Sequence, residues 1–385
     1  MNPVNEVKRL LAIESVTGNE KELAYYLFSR FESMGCKTSL YEAAPERFNI
    51  LAIIEGTVSD GIGLLFHGHL DTVPPYNMEN PFTPQEKDGH IHGRGSVDQK
   101  GGLAAVISAF ETYLNSGEKP KKAIAFVGVI DEESEHRGSM ALKAMGIEAD
   151  FAVVTEPTAL KLGIGCKGTA PIRIDIQGRP AHGCRPWLGV NAVLAGMEIT
   201  KALLKEELPE CIIEGIGKVK ASWNLGRIEG GEAYNIVADK CSIFFDRRLI
   251  PGETQEQVQG EVNRIIDSYS SENNVNVKAE IARPDWNWEP IKKRGLLPAL
   301  TKINSRIVEH VIKAHNAVEK NNPVIFFTDG YQEMDFLVND LGIESIQYGP
   351  GDSSLCHTDN EELRISDLLS CSKVYLELIR IICNQ

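Results

Sequence analysis

Several protein classes leave marks on a sequence that this 385-residue chain lacks. Its longest strongly apolar run, 123–130, is far short of the roughly 18–20 residues that cross a bilayer. No membrane association is therefore expected. The opening residues carry Glu6, Lys8 and Arg9 where a secretion signal would place an apolar core. Positive charge is in deficit: 40 Lys and Arg stand against 54 Asp and Glu, a net charge of −14. Such a surface repels phosphate backbones, so nucleic acid is excluded as an expected partner, whereas metal cations are not. The 8 cysteines are scattered with no CxxC pair, which predicts reduced thiols and a cytoplasmic protein. There is no GxSxG and no phosphate-binding GxxxxGK[ST]. The one GxGxxG match, Gly163 to Gly168, runs into a strand-like segment instead of a helix, against a dinucleotide site.

What is present reads as a large globular chain, with 42% hydrophobic and 24% charged residues. At ~150 residues per domain the length fits two to three domains, or one with an insertion. Two helical stretches open it, near 3–13 and 19–34, the second with Asn19 as a plausible N-cap. Strand-like runs then alternate with helices up to about residue 155, which predicts an α/β sandwich with a mostly parallel sheet. Between 168 and 284 the order becomes β-α-β-β-α-β, that of a ferredoxin-like unit. After Pro284 the helix and strand alternation resumes. The expected organisation is thus one α/β domain, 1–167 plus 285–385, interrupted by an α+β insertion over 168–284.

Acidic and histidine residues gather at the ends of the predicted strands. In Leu65-Phe66-His67-Gly68-His69-Leu70-Asp71, alternation puts His69 and Asp71 on one face where an apolar strand leaves the sheet. A histidine beside a carboxylate suits a metal ligand with its orienting partner, or a hydrogen bond within a turn. Asp98 follows the glycine-rich Gly93-Arg94-Gly95 and precedes a helix; alone it reads as an N-cap. Asp131-Glu132-Glu133-Ser134-Glu135 places four acids at the end of the run 123–130. That is costly if buried without cations and harmless in a surface loop. Glu156 follows another strand, and His357 lies in Cys356-His357-Thr358-Asp359-Asn360-Glu361 before the last helix. Together these carboxylates and imidazoles, with no thiolate pair, suit Zn²⁺, Co²⁺ or Mn²⁺, and are too many for one tetrahedral ion.

The ordered set GHLDTVPP, GRGSVDQKGG, DEES, TEPT and CHTDNEE resembles the motifs of a di-zinc family. It includes acetylornithine deacetylase, succinyl-diaminopimelate desuccinylase, aminoacylase and glutamate-releasing carboxypeptidases. The resemblance covers essentially the whole chain. It implies a zinc-exopeptidase-like α/β/α catalytic domain and an inserted ferredoxin-like dimerisation or lid domain. By the same resemblance His69 is a ligand of one metal and Asp71 orients its ring. Asp98 bridges two divalent ions, Zn²⁺ first and Co²⁺ or Mn²⁺ next. Glu133 and His357 hold the second ion and Glu156 the first. Glu132 is the general base on a water shared by the metals. Within the insertion, His182 in GRPAHG reaches across a homodimer to the scissile carbonyl. Asn235 and Arg248 hold the substrate. The peptide after the bridging aspartate is cis in the family. Two departures stand out: Gln99 follows Asp98 where Met is frequent, and Thr328-Asp329-Gly330 replaces the usual pocket-lining stretch. The implied reaction is hydrolysis of the amide of a small N-acyl amino acid. The alternatives are a dipeptidase or carboxypeptidase of the same family, and a catalytically silent metal-binding protein.

Overall fold

The computed structural model describes residues 2–58, 61–273, 275–282 and 286–384. The chain divides into two compact units. The first comprises 1–166, 299–328 and 332–385, and the second 167–298 and 329–331. The chain therefore re-enters the first unit at Ala299, later than the expected 285, because 286–298 pack with the second unit. The expected 284/285 junction itself lies outside the described residues.

Among the described residues the first unit is built on a nine-stranded sheet. Its centre is parallel: the strand Ile62–His69 lies between Ala123–Val129 and Ala149–Val154. Glu344–Gln347 continues the parallel run beside Ala149–Val154. All seven residues of Ala123–Val129 are buried, as in a strand covered on both faces. The sheet is mixed, not mostly parallel. Lys37–Ala44 and Arg47–Ile54 form a tight hairpin whose second strand docks antiparallel on Ala123–Val129. A connection that short cannot join parallel neighbours.

The two sheet faces bury different chemistry. Phe66 and Phe126 point to one side, where Phe31, Phe110 and Tyr375 from three helices meet them stacked, edge-on and tilted. Leu65, Ala125, Val127 and Val154 point to the other, against Met334 and Leu337. Register carries the functional consequence. His69 pairs with Val129 and His67 with Val154, so three parallel strands finish level with one another. Whatever follows each strand emerges at the same carboxyl edge, where open α/β sheets bind ligands. The helix Lys21–Ser33 is capped by Glu20, not Asn19, and without a side-chain cap bond. The Glu20 carboxylate is instead taken by Arg47 and by the Gly18 N–H.

The second unit carries a four-stranded antiparallel sheet in the spatial order Ser222–Gly230, Lys240–Leu249, Gly168–Gln177, Asn276–Ile281. With helices Ala192–Lys205 and Gln255–Asn273 this is the expected ferredoxin-like order. Alternation sends Ile172, Ile174 and Ile176 inward with Ile243 and Phe245, against Ile199, Val258 and Val262 of the helices. A short hairpin, Glu210–Ile213 with Gly217–Lys220, is an addition to that plan.

Candidate metal centre

Five chain segments meet at the carboxyl edge of the parallel strands. His69 is the last residue of its strand, fully buried, with its Nε2 2.9 Å from Asp98 Oδ1 and 3.8 Å from Glu156 Oε1. Glu156 follows the strand Ala149–Val154 by two residues. Glu132 and Glu133 follow Ala123–Val129. His357 enters from the loop before the last helix, its Nε2 3.1 Å from Glu133 and 3.3 Å from Asp98 Oδ2. Asp98 thus lies between the two imidazoles, one carboxylate oxygen toward each.

Asp71 works through the backbone. Its Oδ1 accepts from the Glu132 N–H at 3.0 Å and its Oδ2 from the Glu133 N–H at 3.1 Å. The Thr17 hydroxyl adds a third donor at 2.9 Å. With the carboxylate so engaged, His69 Nδ1 bonds the Asp71 carbonyl at 2.8 Å, and the Asp71 carboxylate stays 3.7 Å away. The ring is therefore oriented by the main chain of Asp71. The Nδ1 proton on that carbonyl leaves Nε2 as the ligand nitrogen.

Charges in the centre are unbalanced. Burial alone would raise Asp98, but hydrogen bonds from His357 and His69 outweigh it and hold its carboxyl well below the usual range. Hydrogen bonds to Asp98 and then Glu133 lift His357 to about 10. Burial would lower His69, yet Asp98 raises it well above the ordinary imidazole value. Burial pushes Asp71 up to about 7. Burial, then crowding by neighbouring acids, keeps Glu132 and Glu156 well above the ordinary carboxylate range. No Lys or Arg is ion-paired to Asp71, Asp98, Glu132, Glu133 or Glu156 among the described residues. The donor set fits divalent cations: ligand atoms of His69, Asp98 and Glu133 all lie within 4.8 Å of one another. Imidazole plus carboxylate is a donor set for Zn²⁺ and its neighbours.

Two supporting residues carried no sequence assignment. Glu361 is buried and accepts from Arg94 Nη1 at 2.6 Å and from the N–H groups of Gly95, Val97 and Asp98 at 2.8–3.0 Å. It fixes the loop that presents Asp98. The acid four positions after His357 was visible in the motif, but its partners were not. Gln99 also points into the centre, and the Asp98–Gln99 peptide is cis, as the family resemblance implies. Deeper in the sheet His67 Nε2 meets the Ser139 hydroxyl at 3.0 Å, and His136 Nδ1 meets Glu333 at 3.0 Å.

The remaining expected residues belong to the second unit. His182 is exposed, its Nδ1 accepting the Cys184 N–H at 3.2 Å. Its backbone bridges Ile236, and Gly183 N–H bonds Asn235 O at 2.7 Å, so His182 and Asn235 share one loop cluster. Arg248 lies in the strand Lys240–Leu249, its Nε donating to Asp246 Oδ2 at 2.9 Å.

The chain is 27% identical to N-formyl-4-amino-5-aminomethyl-2-methylpyrimidine deformylase of Bacillus subtilis (strain 168), over 95% of this chain and 90% of that protein. It is 28% identical to acetylornithine deacetylase of Myxococcus xanthus, over 93% and 91%. A crystal structure of a tripeptidase from Staphylococcus aureus subsp. aureus Mu50 superposes with a TM-score of 0.81 at 25% identity, over 100% of this chain and 98% of that one. The sequence profile of peptidase family M20/M25/M40 matches residues 65–381. With a match over most of its length, this chain belongs to peptidase family M20/M25/M40.

Proposed function

We propose that this chain is a divalent-metal amidohydrolase that cleaves the amide bond of a small N-acyl amino acid. The observation that carries the reading is Glu132. Its carboxylate is tied by no hydrogen bond among the described residues, while Asp71 anchors its backbone beside the cluster of His69, Asp98, Glu133 and His357. His69 and Glu156 would hold one ion, Glu133 and His357 a second, and Asp98 would serve both. Zn²⁺ suits this donor set best, with Co²⁺ or Mn²⁺ next. Bound there, such ions lower the pKa of water and polarise a carbonyl.

The protein's own groups handle the protons. Glu132, anchored beside the cluster through its N–H and with no hydrogen bond on its carboxylate among the described residues, would take a proton from the attacking water. It then returns the proton to the leaving nitrogen. Asp71 keeps Glu132 and Glu133 in fixed orientation through their N–H groups. His182 would donate to the developing oxyanion, a contribution of several kcal/mol in comparable sites. Arg248 would clamp the substrate carboxylate through two parallel hydrogen bonds, with Asn235 holding the substrate beside it.

Two features support a homodimer through the second unit. The edge strand Ser222–Gly230 is exposed along almost its whole length and carries Leu225 and Ile228 outward. On the helix Ala192–Lys205, Leu194, Met197 and Leu204 are also exposed. An unprotected edge next to exposed apolar side chains is what an interface covers. Eight free cysteines support a cytoplasmic setting. No described helix is long and apolar enough to cross a membrane.

The test is amine release from N-acetyl-, N-succinyl- and N-formyl-amino acids and from dipeptides, with metal-stripped protein and then with added Zn²⁺ or Co²⁺. Metal-restored cleavage of an N-acyl amino acid is expected. Cleavage of peptides alone would place the chain with the peptidases, the second reading, which the likeness to a tripeptidase favours. Metal uptake with no cleavage of any amide would overturn both.

A further inference from the structure

Gln99 lies in the centre and has no role in the chemistry above. It follows Asp98, and its side chain turns back between two strand ends. Its Nε2 donates to Glu156 Oε1 at 2.5 Å. Its Oε1 accepts from the Thr155 hydroxyl at 2.5 Å. The amide orientation is set by its partners, since a carboxylate only accepts and a hydroxyl can donate. All three residues are buried, so the bonds form away from water.

The surroundings are shaped for this side chain. A Cβ at Gly68 would come within 2.6 Å of Gln99 Oε1 and 2.7 Å of Thr155 Oγ1. A Cβ at Gly102 would come within 2.4 Å of the Thr155 carbonyl. Both glycines are therefore required for the Gln99–Thr155–Glu156 arrangement. Gly68 sits between His67 and His69 in the strand and Gly102 in the first turn of the helix Gly101–Asn115. The amide thus connects the segment that carries Asp98 to the one that carries Glu156.

We propose that Gln99 is a positioning residue that fixes the Glu156 carboxylate for one of the two divalent ions. The inference rests on the metal reading above and adds an asymmetry between the two ions. Glu156 is held by a side-chain amide, whereas Glu133 is held through its backbone and by His357. Losing the amide loosens one ion and spares the other. Outer partners of metal ligands commonly set affinity by about 10–100-fold.

The experiment is calorimetric titration of the metal-stripped full chain with Zn²⁺, repeated with Co²⁺ and read by its visible absorption. Gln99→Met keeps length and volume and removes both hydrogen bonds. In this variant one binding event is expected to weaken by about 10–100-fold while the other stays within about twofold. Glu156→Gln is expected to weaken the same event, and adding Gln99→Met to it should cost less than about twofold more, because the two act as one unit. Thr155→Val leaves Gln99 and Glu156 in place and should weaken that event by a smaller factor. Unchanged affinities in a folded Gln99→Met protein, equal weakening of both events, or full additivity with Glu156→Gln would each overturn the proposal. Wild-type protein that takes up no divalent ion would overturn the metal reading itself. Two ions bound by wild type with Gln99→Met unaltered would overturn the Gln99 role alone.

Discussion

Two groups of buried acids lie in the same unit and are balanced in opposite ways. In the first, Glu20, Asp131 and Glu135 share two guanidiniums. Arg47 bonds Glu20 and reaches Asp131 at 2.8 Å, and Arg137 reaches Asp131 at 3.0 Å and contacts Glu135. In the second, Asp71, Asp98, Glu132, Glu133 and Glu156 have two imidazoles and, among the described residues, no paired Arg or Lys. The DEES loop, taken through Glu135, belongs to both: Asp131 and Glu135 face arginines, and Glu132 and Glu133 face the centre. Of four acids in five residues, two are therefore paired with guanidiniums and two face the centre. Covalently attached cations stabilise the first group permanently. The second has no such side chain among the described residues, and its donor set fits exchangeable divalent cations.

The comparison breaks most severely at Glu132. Glu132→Gln keeps shape and removes the base, so kcat should fall by about 10²–10⁴-fold or more. Metal content by elemental analysis should stay that of wild type. Retained activity would return Glu132 to the structural acids. Arg47→Met attacks the other group. It strips Glu20 and Asp131, at 0% and 1% exposure, of a shared partner. Breaking a buried pair from one side costs about 3–5 kcal/mol. Urea denaturation should show a loss of that order. A loss under ~1 kcal/mol would mean that water reaches these acids.

Much of this contrast was legible in the sequence, and the reason is local. His69, Glu132, Glu133 and Glu156 each follow an apolar run within a few residues, so strand ends could be read directly. Parallel pairing then brings such ends level, as the register His69 with Val129 and His67 with Val154 does. Illegible were the partners set by distant chain. Glu361 takes its four donors from residues 263 to 267 positions earlier. Gln99 looked like a departure from a motif and meets Glu156 57 positions on. Arg47 meets Asp131 84 positions on. The added hairpin had a local signal, since Gly215 and Gly217 both have positive φ at its turn. The antiparallel docking of Arg47–Ile54 had none, because an apolar strand does not announce its direction.

Metal removal sharpens the contrast next. An ion bound at a hundred times its dissociation constant adds about 2.7 kcal/mol of stability per site. A chelator should therefore lower the urea midpoint of wild type. It should lower that of Arg47→Met by a similar amount, because the two acid groups are balanced by different cations. A chelator effect that vanished in Arg47→Met would show them to be one network.

Arg137→Met is the smallest test and the most discriminating. Arg137 is 24% exposed, and its partner Asp131 keeps Arg47 at 2.8 Å when Arg137 is removed. Asp131 is then still paired and the guanidinium removed is partly in water, so the loss should be clearly smaller than for Arg47→Met. Zn²⁺ affinity by titration should stay within about twofold of wild type, since the loop's hold on Glu132 and Glu133 comes from Asp71 and not from Arg137. A tenfold fall in Zn²⁺ affinity would mean that the structural acids set the pose of the catalytic ones. The division of the DEES loop into two independent pairs would then fail.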